Sequence, residues 1–343
     1  MKHHLNTLFI TTPGAYLKKD GEAVLVRIEK ENRLRVPLIN LGGIIAFGSV
    51  GMSPGLMAAC AASGIAVTFL SSYGRFLARV AGFTPGNVLL RREQYRRADD
   101  ASATAAIVRN LVTAKVANAR GVLLRAARDH GAEAGDTQLR QAARRLAESI
   151  DQLEHTNDVE QMRGIEGEAS RSYFEVFNRL ITHPDPAFTF RGRTRRPPQD
   201  NVNALLSFLY VILMHDARSA CEAVGLDPAV GFLHRDRPGR PGLALDLIEE
   251  FRAFLVDRVV LSLINRQQVR PEGFTRSETG GVTMTNETRK TVLTAYQKRK
   301  QETINHPFLK EQTTVGLLVH LQARLLARHL RDELDAYPGF LSR

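Results

Sequence analysis

Cysteine is scarce in this chain: its 343 residues include only Cys60 and Cys221. The two lie far apart in the sequence, and neither belongs to a Cys-x-x-Cys pattern. Without paired or clustered thiols, the sequence offers no disulfide framework and no thiolate zinc site. This scarcity favours a protein of the reducing cytoplasm.

Long apolar runs are also lacking. The longest covers residues 205–214, contains one serine, and is followed directly by a histidine and an aspartate. A membrane-spanning helix needs roughly 20 apolar residues, so we predict no membrane association. The first residues of the chain lead into no apolar core with a small-residue cleavage site, which predicts the absence of a signal peptide.

Several common catalytic signatures are absent. The sequence contains no GxxxxGK[ST] loop, no GxSxG elbow and no HExxH helix. The glycine pairs Gly42-Gly43 and Gly280-Gly281 do not form the strand–GxGxxG–helix pattern of a dinucleotide site. ATP hydrolysis, serine hydrolysis and dinucleotide chemistry therefore have no support.

Basic residues, by contrast, are in excess. Lysine and arginine together number 47 against 36 acidic residues, which gives a net charge of +11 and a sequence pI near 10.0. This balance indicates a polyanionic partner. Because the sequence lacks membrane features, nucleic acid is the better candidate.

The local patterns predict an α+β protein with a small N-terminal β-sandwich-like domain and a larger all-α catalytic domain. In residues 1–85, short β-rich runs alternate with turn signals, and one helix with Ser53 as N-cap and Pro54 in its first turn ends near Gly64. Residues 86–98 are predicted to form a linker, and residues 99–343 the helical domain. Its predicted helices include an almost wholly apolar central one over 201–224, and others over 243–264, 286–302 and 313–337.

One carboxylate interrupts an apolar helical stripe. Glu166 lies on one helix face with residues spaced three or four positions apart. The others on this face are all apolar or aromatic, namely Val159, Met162, Ala169, Tyr173, Val176 and Leu180. A carboxylate on a buried face is costly unless a metal, a cation or hydrogen-bond donors satisfy it. Gly164 and Gly167 flank it, although each glycine inside a helix costs about 1 kcal/mol relative to alanine. Either another group approaches this backbone closely or something must fit beside the carboxylate, and a metal site is the natural hypothesis.

Two further carboxylates, Asp246 and Glu249, begin another apolar stripe. They lie three residues apart and so share a helix face. An alternative reason for their position is that acidic side chains favour the positive N-terminus of a helix. Glu250 points elsewhere and is predicted to be a solvated charge.

His234 follows Gly-Phe-Leu and precedes a basic loop. A lone histidine is more often a hydrogen-bonded packing residue than a ligand. Here, however, the same helical domain contains three carboxylates on otherwise apolar helix faces. One imidazole with two or three carboxylates suits Mg²⁺ or Mn²⁺ rather than structural zinc. The residues alone thus predict a metal site formed by Glu166, His234, Asp246 and Glu249, and they leave open which of the acids bind the ion directly.

Arginines flank both candidate ligand segments. Charge clusters are often ordinary solvated surface, but their position beside a metal site favours contact with a phosphate backbone. The predicted DNA-binding residues are Arg191, Arg193, Arg195, Arg196, Arg235, Arg237 and Arg240. Asn203, Ser207 and Tyr210 follow one face of the central helix. They could line and support the site or touch DNA, and a satisfied polar seam is an equally good interpretation.

These segments together resemble a known family, the CRISPR-associated integrases called Cas1. The resemblance is carried by Gly164-Ile165-Glu166-Gly167 with Tyr173-Phe174, by the Gly-Phe-Leu-His segment ending at His234, and by the segment from Asp246 to Arg252. Residues 200–208 and the segment from His320 to Arg324 are also similar to family segments, so nearly the whole chain is covered. The ending is similar to members of type I-C systems.

The resemblance implies that Glu166, His234 and an acid of the Asp246/Glu249 pair are metal ligands. Many members have aspartate at the last position, so the direct ligand could be Asp246 or Glu249; we favour Glu249, with Asp246 in support. The implied reaction is the insertion of spacers into a CRISPR array, in which the 3′-hydroxyl of a short DNA duplex attacks a phosphodiester of the repeat. The implied partners are a second copy of the chain, joined through the β-rich domain, and a small ferredoxin-like protein, Cas2. The alternatives are a metal-dependent repair nuclease and a non-catalytic DNA-binding scaffold.

Overall fold

The computed structural model describes residues 6–72, 74–82, 87–129 and 134–342. The chain divides into two compact units: Met1–Gly86 with Met284–Gln301, and Asn87–Thr283 with Glu302–Arg343. Two features correct the predicted domain boundaries. The predicted linker 86–98 is largely a helix of the second unit, and residues 284–301, predicted to belong to the catalytic domain, are part of the first unit.

The first unit is built on two four-stranded sheets. One has the order β1-β5-β7-β8 and the other β4-β3-β2-β6. Strand β1 pairs in parallel with β5, and β5 in parallel with β7, whereas β8 is antiparallel. The strands are β1 Asn6–Ile10, β2 Tyr16–Asp20, β3 Ala23–Ile28, β4 Glu31–Pro37, β5 Leu41–Phe47, β6 Gly51–Met52, β7 Ala66–Leu70 and β8 Phe76–Val80.

Both sheets contribute to one apolar core. Leu17 and Val24 of one sheet and Ile44 and Val67 of the other belong to the same buried cluster, together with Leu56 of helix α1 (Pro54–Ala62). The Ser53 hydroxyl accepts a hydrogen bond from the Leu56 backbone N–H at 3.3 Å and caps this helix as predicted. The sandwich-like β-rich domain followed by a helical domain is therefore confirmed.

Helix α9 (Asn286–Gln301) also packs in the first unit. Its Gln297 side chain donates a hydrogen bond to the carbonyl of Thr7 at 2.8 Å, and its Tyr296 is fully buried. The sequence pattern identified this helix correctly, but it could not assign it to the first unit because the contact joins residues far apart in the chain.

The second unit is mainly helical. Its long helices α3, α4 and α5 pack on one another, and α6 packs against α7 and α10. The helices are α2 Val88–Asp99, α3 Ala101–Asp129, α4 Ala134–Glu154, α5 Val159–Glu175, α6 Asn201–Val224, α7 Gly242–Glu249, α8 Arg258–Asn265 and α10 Leu318–His329. Two small hairpins pair β9 Phe274–Arg276 with β10 Val282–Met284, and β11 Thr303–Asn305 with β12 Gln312–Thr314.

Helix α6 is the central helix predicted from its composition. Among the described residues it is the one helix long and apolar enough to cross a membrane, but 67% of its most apolar window is buried inside the protein. Its Leu205, Leu209 and Leu213 have no exposed surface. These properties are those of a core helix.

Two predicted helices differ from the structure. The helix predicted over 243–264 is divided: α7 is followed by a π-helical segment, Arg252–Asp257, and then by α8. Single π-helical turns often lie at functional sites, and this one brings Arg252 and Asp257 to the same cavity. The helix predicted over 313–337 is shorter, because α10 ends at His329 and the chain beyond it packs without regular structure.

Candidate active site

The candidate site is built by α3, α5, α7 and the loop that contains His234. Asp246, on α7, has no exposed surface. Its carboxylate accepts backbone N–H bonds from Phe232 at 2.6 Å and from Leu233 and His234 at 3.0 Å. It also lies 2.6 Å from Nδ1 of His234. The carboxylate therefore fixes both the loop backbone and the imidazole ring.

Gly231 makes this close approach possible. A Cβ atom at this position would lie 2.7 Å from the Asp246 carboxylate and 2.7 Å from the backbone of Gly242. Any side chain would therefore push the loop away from α7. The glycine of the Gly-Phe-Leu-His segment is required by packing at the base of the site.

Glu249 lies one helical turn after Asp246 and is also buried. One carboxylate oxygen is 3.0 Å from Nη2 of Arg252 and 3.9 Å from Nε2 of His234. The other is 2.7 Å from Nζ of Lys115. Burial alone would raise the pKa of Glu249, but Arg252, Lys115 and His234 outweigh it and lower the pKa to about 2. Glu249 is thus held ionised.

Glu166 faces the same place from α5. Its carboxylate forms an ion pair with Lys115 and accepts a hydrogen bond from the Ser170 hydroxyl at 2.9 Å. The apolar members of its stripe are buried as predicted, including Met162, Ala169 and Tyr173, except for the half-buried Val159 at the start of the helix. Lys115, on α3, therefore lies between the two carboxylates of Glu166 and Glu249.

A cavity of about 240 Å³ opens in front of these groups. Glu166, Lys115, His234 and Glu249 line it, with Gly167 beside them. At Gly164 and Gly167 an added Cβ would meet no atom of the described residues within 4 Å. Of the two alternatives, no described part of the protein approaches this backbone closely, and free space beside the carboxylate is present.

Tyrosines and a carboxylate form the far wall of the cavity. Tyr173 and Tyr210 donate hydrogen bonds to the buried Asp257 at 3.0 and 2.5 Å. Burial raises the pKa of Asp257 to about 6, against the lowering effect of these two donors and of Arg252. The Arg252 guanidinium lies over the Tyr210 ring, 4.8 Å from its centroid, so that its position is fixed between the ring and Glu249.

The donor set fits a hard divalent ion. Two carboxylates and one imidazole face one cavity, and Oε2 of Glu249 is buried without a hydrogen bond of good geometry, although Lys115 lies beside it. These donors suit Mg²⁺ or Mn²⁺. Among the described residues, however, no group of three or more acidic, histidine or cysteine side chains is spaced closely enough to hold an ion, because Lys115 separates Glu166 from Glu249.

The predicted DNA-binding arginines differ in their surroundings. Arg193 is engaged inside the protein: it donates to Asn203 at 2.6 Å and to Ser207 at 3.1 Å, and it lies over Tyr210. Burial lowers the pKa of Arg193. These contacts correct its assignment as a DNA-binding residue. They make Asn203 and Ser207 part of a satisfied polar seam, whereas Tyr210 lines the cavity. The other six are exposed or half-exposed: Arg191, Arg195, Arg196, Arg235, Arg237 and Arg240.

Glu250 is a second correction. It was predicted to be a solvated charge, but it has no exposed surface. The Tyr337 hydroxyl, the Gln322 amide and the Phe340 backbone N–H all donate to it, the last two at 2.9 and 2.7 Å. Burial raises the pKa of Glu250 to about 7. The residue ties the C-terminal segment to the core directly beside the site.

Sequence reasoning missed Lys115, Arg252 and Asp257. A signal existed for Lys115, because Leu111 and Ala119, four residues to either side on α3, are apolar and buried. Such a lysine usually extends its charge to solvent. Arg252 and Asp257 could not be assigned to the site because the π-helical segment changes which residues share a face.

Comparison with known proteins adds independent evidence. The profile of the family described as CRISPR associated protein Cas1 matches residues 8–298. A relative from Chlorobaculum tepidum, named CRISPR-associated endonuclease Cas1 1, is 55% identical over 343 residues, covering 100% of both chains.

Solved structures share the fold. A Cas1 protein from Thermotoga maritima is 22% identical, with a TM-score of 0.81 over 98% of this chain and 100% of that one. A chain of a Cas6-RT-Cas1–Cas2 complex is 24% identical, with a TM-score of 0.80 over 98% of this chain and 36% of that one. The family predicted from the sequence motifs is confirmed, and the chain belongs to the Cas1 family of CRISPR-associated proteins.

Proposed function

We propose that this protein is a divalent-metal-dependent DNA endonuclease and integrase that inserts new spacers into a CRISPR array. The observation that carries the proposal is the convergence of Glu166, His234 and Glu249 on one cavity. The name of the Chlorobaculum tepidum relative, an endonuclease, supports the same reaction class. The net charge of +11 supports a nucleic-acid substrate.

Glu166, His234 and Glu249 are the proposed metal ligands, with Mg²⁺ or Mn²⁺ as the ion. When bound, such an ion supplies Lewis-acid activation of a hydroxyl and neutralises charge that develops on the phosphoryl group. Asp246 is assigned a supporting role, because the backbone of residues 232–234 and the His234 ring already occupy its oxygens. This favours Glu249 over Asp246 as the direct ligand.

The proposed reaction is a transesterification. The 3′-oxygen of the donor duplex forms a bond to phosphorus in the repeat, and the bond from that phosphorus to the bridging 3′-oxygen breaks. The attacking hydroxyl loses a proton to solvent, and the departing oxygen takes one up. One phosphodiester replaces another, so the step needs neither ATP nor a protein nucleophile. Arg252, fixed over Tyr210, keeps Glu249 ionised throughout.

The DNA backbone is proposed to contact the arginines that remain open to solvent. These belong to two loops on either side of α6 in the sequence, one before Asp200 and one after Gly225. Arg235 pairs at the surface with Glu160 at 2.5 Å and would exchange this partner for a phosphate, whereas Arg193 is bound inside the protein to Asn203. The proposed set is Arg191, Arg195, Arg196, Arg235, Arg237 and Arg240.

The proposed assembly is a homodimer joined through the β-rich domain and bridged by the small ferredoxin-like protein Cas2. A similar chain was solved in a complex named Cas6-RT-Cas1–Cas2, which supports this partner. Co-purification with Cas2, followed by measurement of the mass of the complex, tests it. The dimerisation role of residues 1–85 is tested in the same measurement by removing exposed apolar residues such as Ile39.

The proposal includes a cytoplasmic location and a type I-C system. Cys60 and Cys221 are both buried and unbonded, which suits a reducing compartment. The segment from His320 to Arg324 supports the system type by resemblance. The genes adjacent to the coding sequence test this assignment.

A strand-transfer assay tests the function. The purified protein, Cas2, Mn²⁺, a short 3′-hydroxyl duplex and a supercoiled repeat plasmid are expected to give joined product. Glu166→Gln should give none while it still binds DNA, and Glu168→Gln, which changes an exposed residue of the same helix, should behave as wild type. Metal-dependent nicking without joining would indicate a nuclease, and DNA binding without any product would indicate a scaffold.

A further inference from the structure

Lys115 occupies an unusual position for a lysine. Its ammonium group forms an ion pair with Glu166 and lies 2.7 Å from Oε2 of Glu249, and only 14% of its side chain is exposed. Leu111 and Ala119, four residues before and after it, are buried in the core. Helix α3 therefore holds the backbone of Lys115 in place, and only its four-carbon side chain can move.

The ammonium group and a divalent ion compete for the same place. An ion bound by oxygens of Glu166 and Glu249 must lie within about 2.0–2.6 Å of each of them. Lys115 Nζ already lies in contact with both carboxylates. Two cations cannot share this position, because they repel each other strongly over such short distances.

Of the two cations beside Glu249, Lys115 is the one able to move. The Arg252 guanidinium is fixed over Tyr210 and pairs with Glu249 at 3.0 Å. Both side chains line the cavity of about 240 Å³, but no ring contact holds Lys115 among the described residues, so its side chain has room to turn away. A lysine ammonium is a compact point charge on a flexible chain, whereas a guanidinium is rigid and planar.

The charge balance links this movement to DNA. Above pH 6 the carboxylates of Asp246, Glu166, Glu249 and Asp257 bring four negative charges to the site, and Lys115, Arg252 and Arg195 bring three positive ones. A divalent ion turns this balance from negative to positive while Lys115 stays charged nearby. A phosphate group restores neutrality, and it offers the displaced ammonium new acceptors.

We propose that Lys115 is an internal counter-cation of the metal site: it holds Glu166 and Glu249 together, gives way to the divalent ion, and then pairs with a phosphate of the bound DNA. This inference rests on the proposed function. It makes metal binding and DNA binding mutually dependent, and such coupling is necessarily reciprocal. Metal then loads efficiently only when DNA is present.

Manganese binding, measured by the loss of the free Mn²⁺ signal in electron paramagnetic resonance, tests the inference without reference to activity. In Lys115→Met the competing charge is gone, and we expect Mn²⁺ to bind at least about tenfold more tightly without DNA than it binds wild type. Added duplex DNA should tighten Mn²⁺ binding strongly in wild type and much less in Lys115→Met. Equal or weaker binding by Lys115→Met without DNA would overturn the inference.

A second measurement covers the case in which Lys115→Met folds poorly. Without the ammonium, the two carboxylates repel each other, so the metal-free variant should melt at a lower temperature than wild type, and Mn²⁺ should raise its melting temperature more. Lys115→Arg keeps the charge, so we expect it to bind Mn²⁺ no more tightly than wild type. If Mn²⁺ raises the melting temperature of Lys115→Met no more than that of wild type, the inference fails.

The controls separate this inference from the proposed function. Arg125→Met removes the same charge from an exposed position of α3, where Arg125 pairs with Asp129, and it should leave Mn²⁺ affinity unchanged. Glu166→Gln and Glu249→Gln should weaken Mn²⁺ binding with or without DNA. If they do not, the metal site itself is wrong; if they do and Lys115→Met behaves as wild type, only the role of Lys115 is wrong.

Discussion

The Nδ1 atom of His234 lies 2.6 Å from the Asp246 carboxylate, and its Nε2 atom lies 3.9 Å from Glu249. One acid of the pair thus orients the ring, and the other faces the cavity beside it. A histidine ligand commonly has its second nitrogen held by a carboxylate in this way. The two acids begin the same apolar stripe, but their surroundings give them different roles.

Asp246→Asn should weaken metal binding without preventing DNA binding. An asparagine can accept hydrogen bonds through one oxygen only, so it cannot satisfy the three backbone N–H groups and the ring nitrogen that Asp246 now contacts. We expect Mn²⁺ affinity to fall about 10- to 100-fold, with a matching loss of strand transfer. Isothermal titration with Mn²⁺ and a DNA-binding assay on the same preparation measure both effects.

Asp236→Asn is the matched control, because Asp236 is exposed in the same loop. It should bind Mn²⁺ as wild type does. Wild-type Mn²⁺ affinity in Asp246→Asn would show that the ring is oriented by other contacts.

The acids could be singled out from the sequence because each breaks an otherwise apolar helical stripe, whereas His234 was singled out by its context and by the family resemblance. The structure brings the histidine, Glu166 and Glu249 to one cavity. Glu166 and Asp246 occupy apolar stripes, where a charge is costly. Lys115 could not be assigned in the same way, since a lysine on such a stripe normally extends to water. Glu250 was misjudged because its partners, Gln322, Tyr337 and Phe340, are more than 70 residues away in the chain.

The β-rich domain illustrates the same limit. Local sequence signals predicted its strands and the N-cap of its helix at Ser53, because turns and caps depend on neighbouring residues. Nothing local specifies that β1 pairs in parallel with β5, or that α9 packs in this unit. Such pairings arise from long-range packing, which one sequence without relatives does not reveal.

Asp257 should give the protein a stability that decreases as the pH rises. Its pKa is raised from 3.8 to about 6 by burial, so the folded state retains the proton over a range in which the unfolded state has lost it. The stabilisation is complete below pH 3.8 and is lost as the pH rises through 6. Relative to Asp257→Asn, wild type should lose about 3 kcal/mol of unfolding free energy across this range.

Urea unfolding of both proteins between pH 4 and 8 measures this difference. Asparagine has the size of aspartate but accepts hydrogen bonds at one oxygen only, so it can keep one of the two tyrosine donors, which now bond to different oxygens of Asp257. That loss does not change with pH, so the difference between the two pH profiles isolates the proton. Parallel pH profiles for the two proteins would mean that Asp257 is ionised in the folded protein throughout.

Tyr337→Phe should lower stability without affecting the cavity. The change removes the hydroxyl that donates to the buried Glu250 and leaves that carboxyl group with fewer donors. We expect a loss of about 1–3 kcal/mol in unfolding free energy, with metal affinity close to that of wild type. Tyr16→Phe, at a residue 43% exposed in the first unit, should cost little. A Tyr337→Phe variant as stable as wild type would show that Gln322 and Phe340 suffice to hold Glu250.

Arg193 and Arg195 are neighbours in one loop, and substitution should affect each in a different way. Arg193→Ala removes the hydrogen bonds to Asn203 and Ser207 and the packing of the guanidinium over Tyr210, so it should lower the melting temperature by several degrees. Arg195 is exposed, so Arg195→Ala should leave the melting temperature unchanged. If Arg195 contacts a DNA phosphate, Arg195→Ala should reduce the slope of log DNA affinity against log salt concentration by about one. Melting curves and salt titrations of both variants test these different roles. The assignment would be wrong if Arg193→Ala reduced the salt dependence of DNA binding and Arg195→Ala did not.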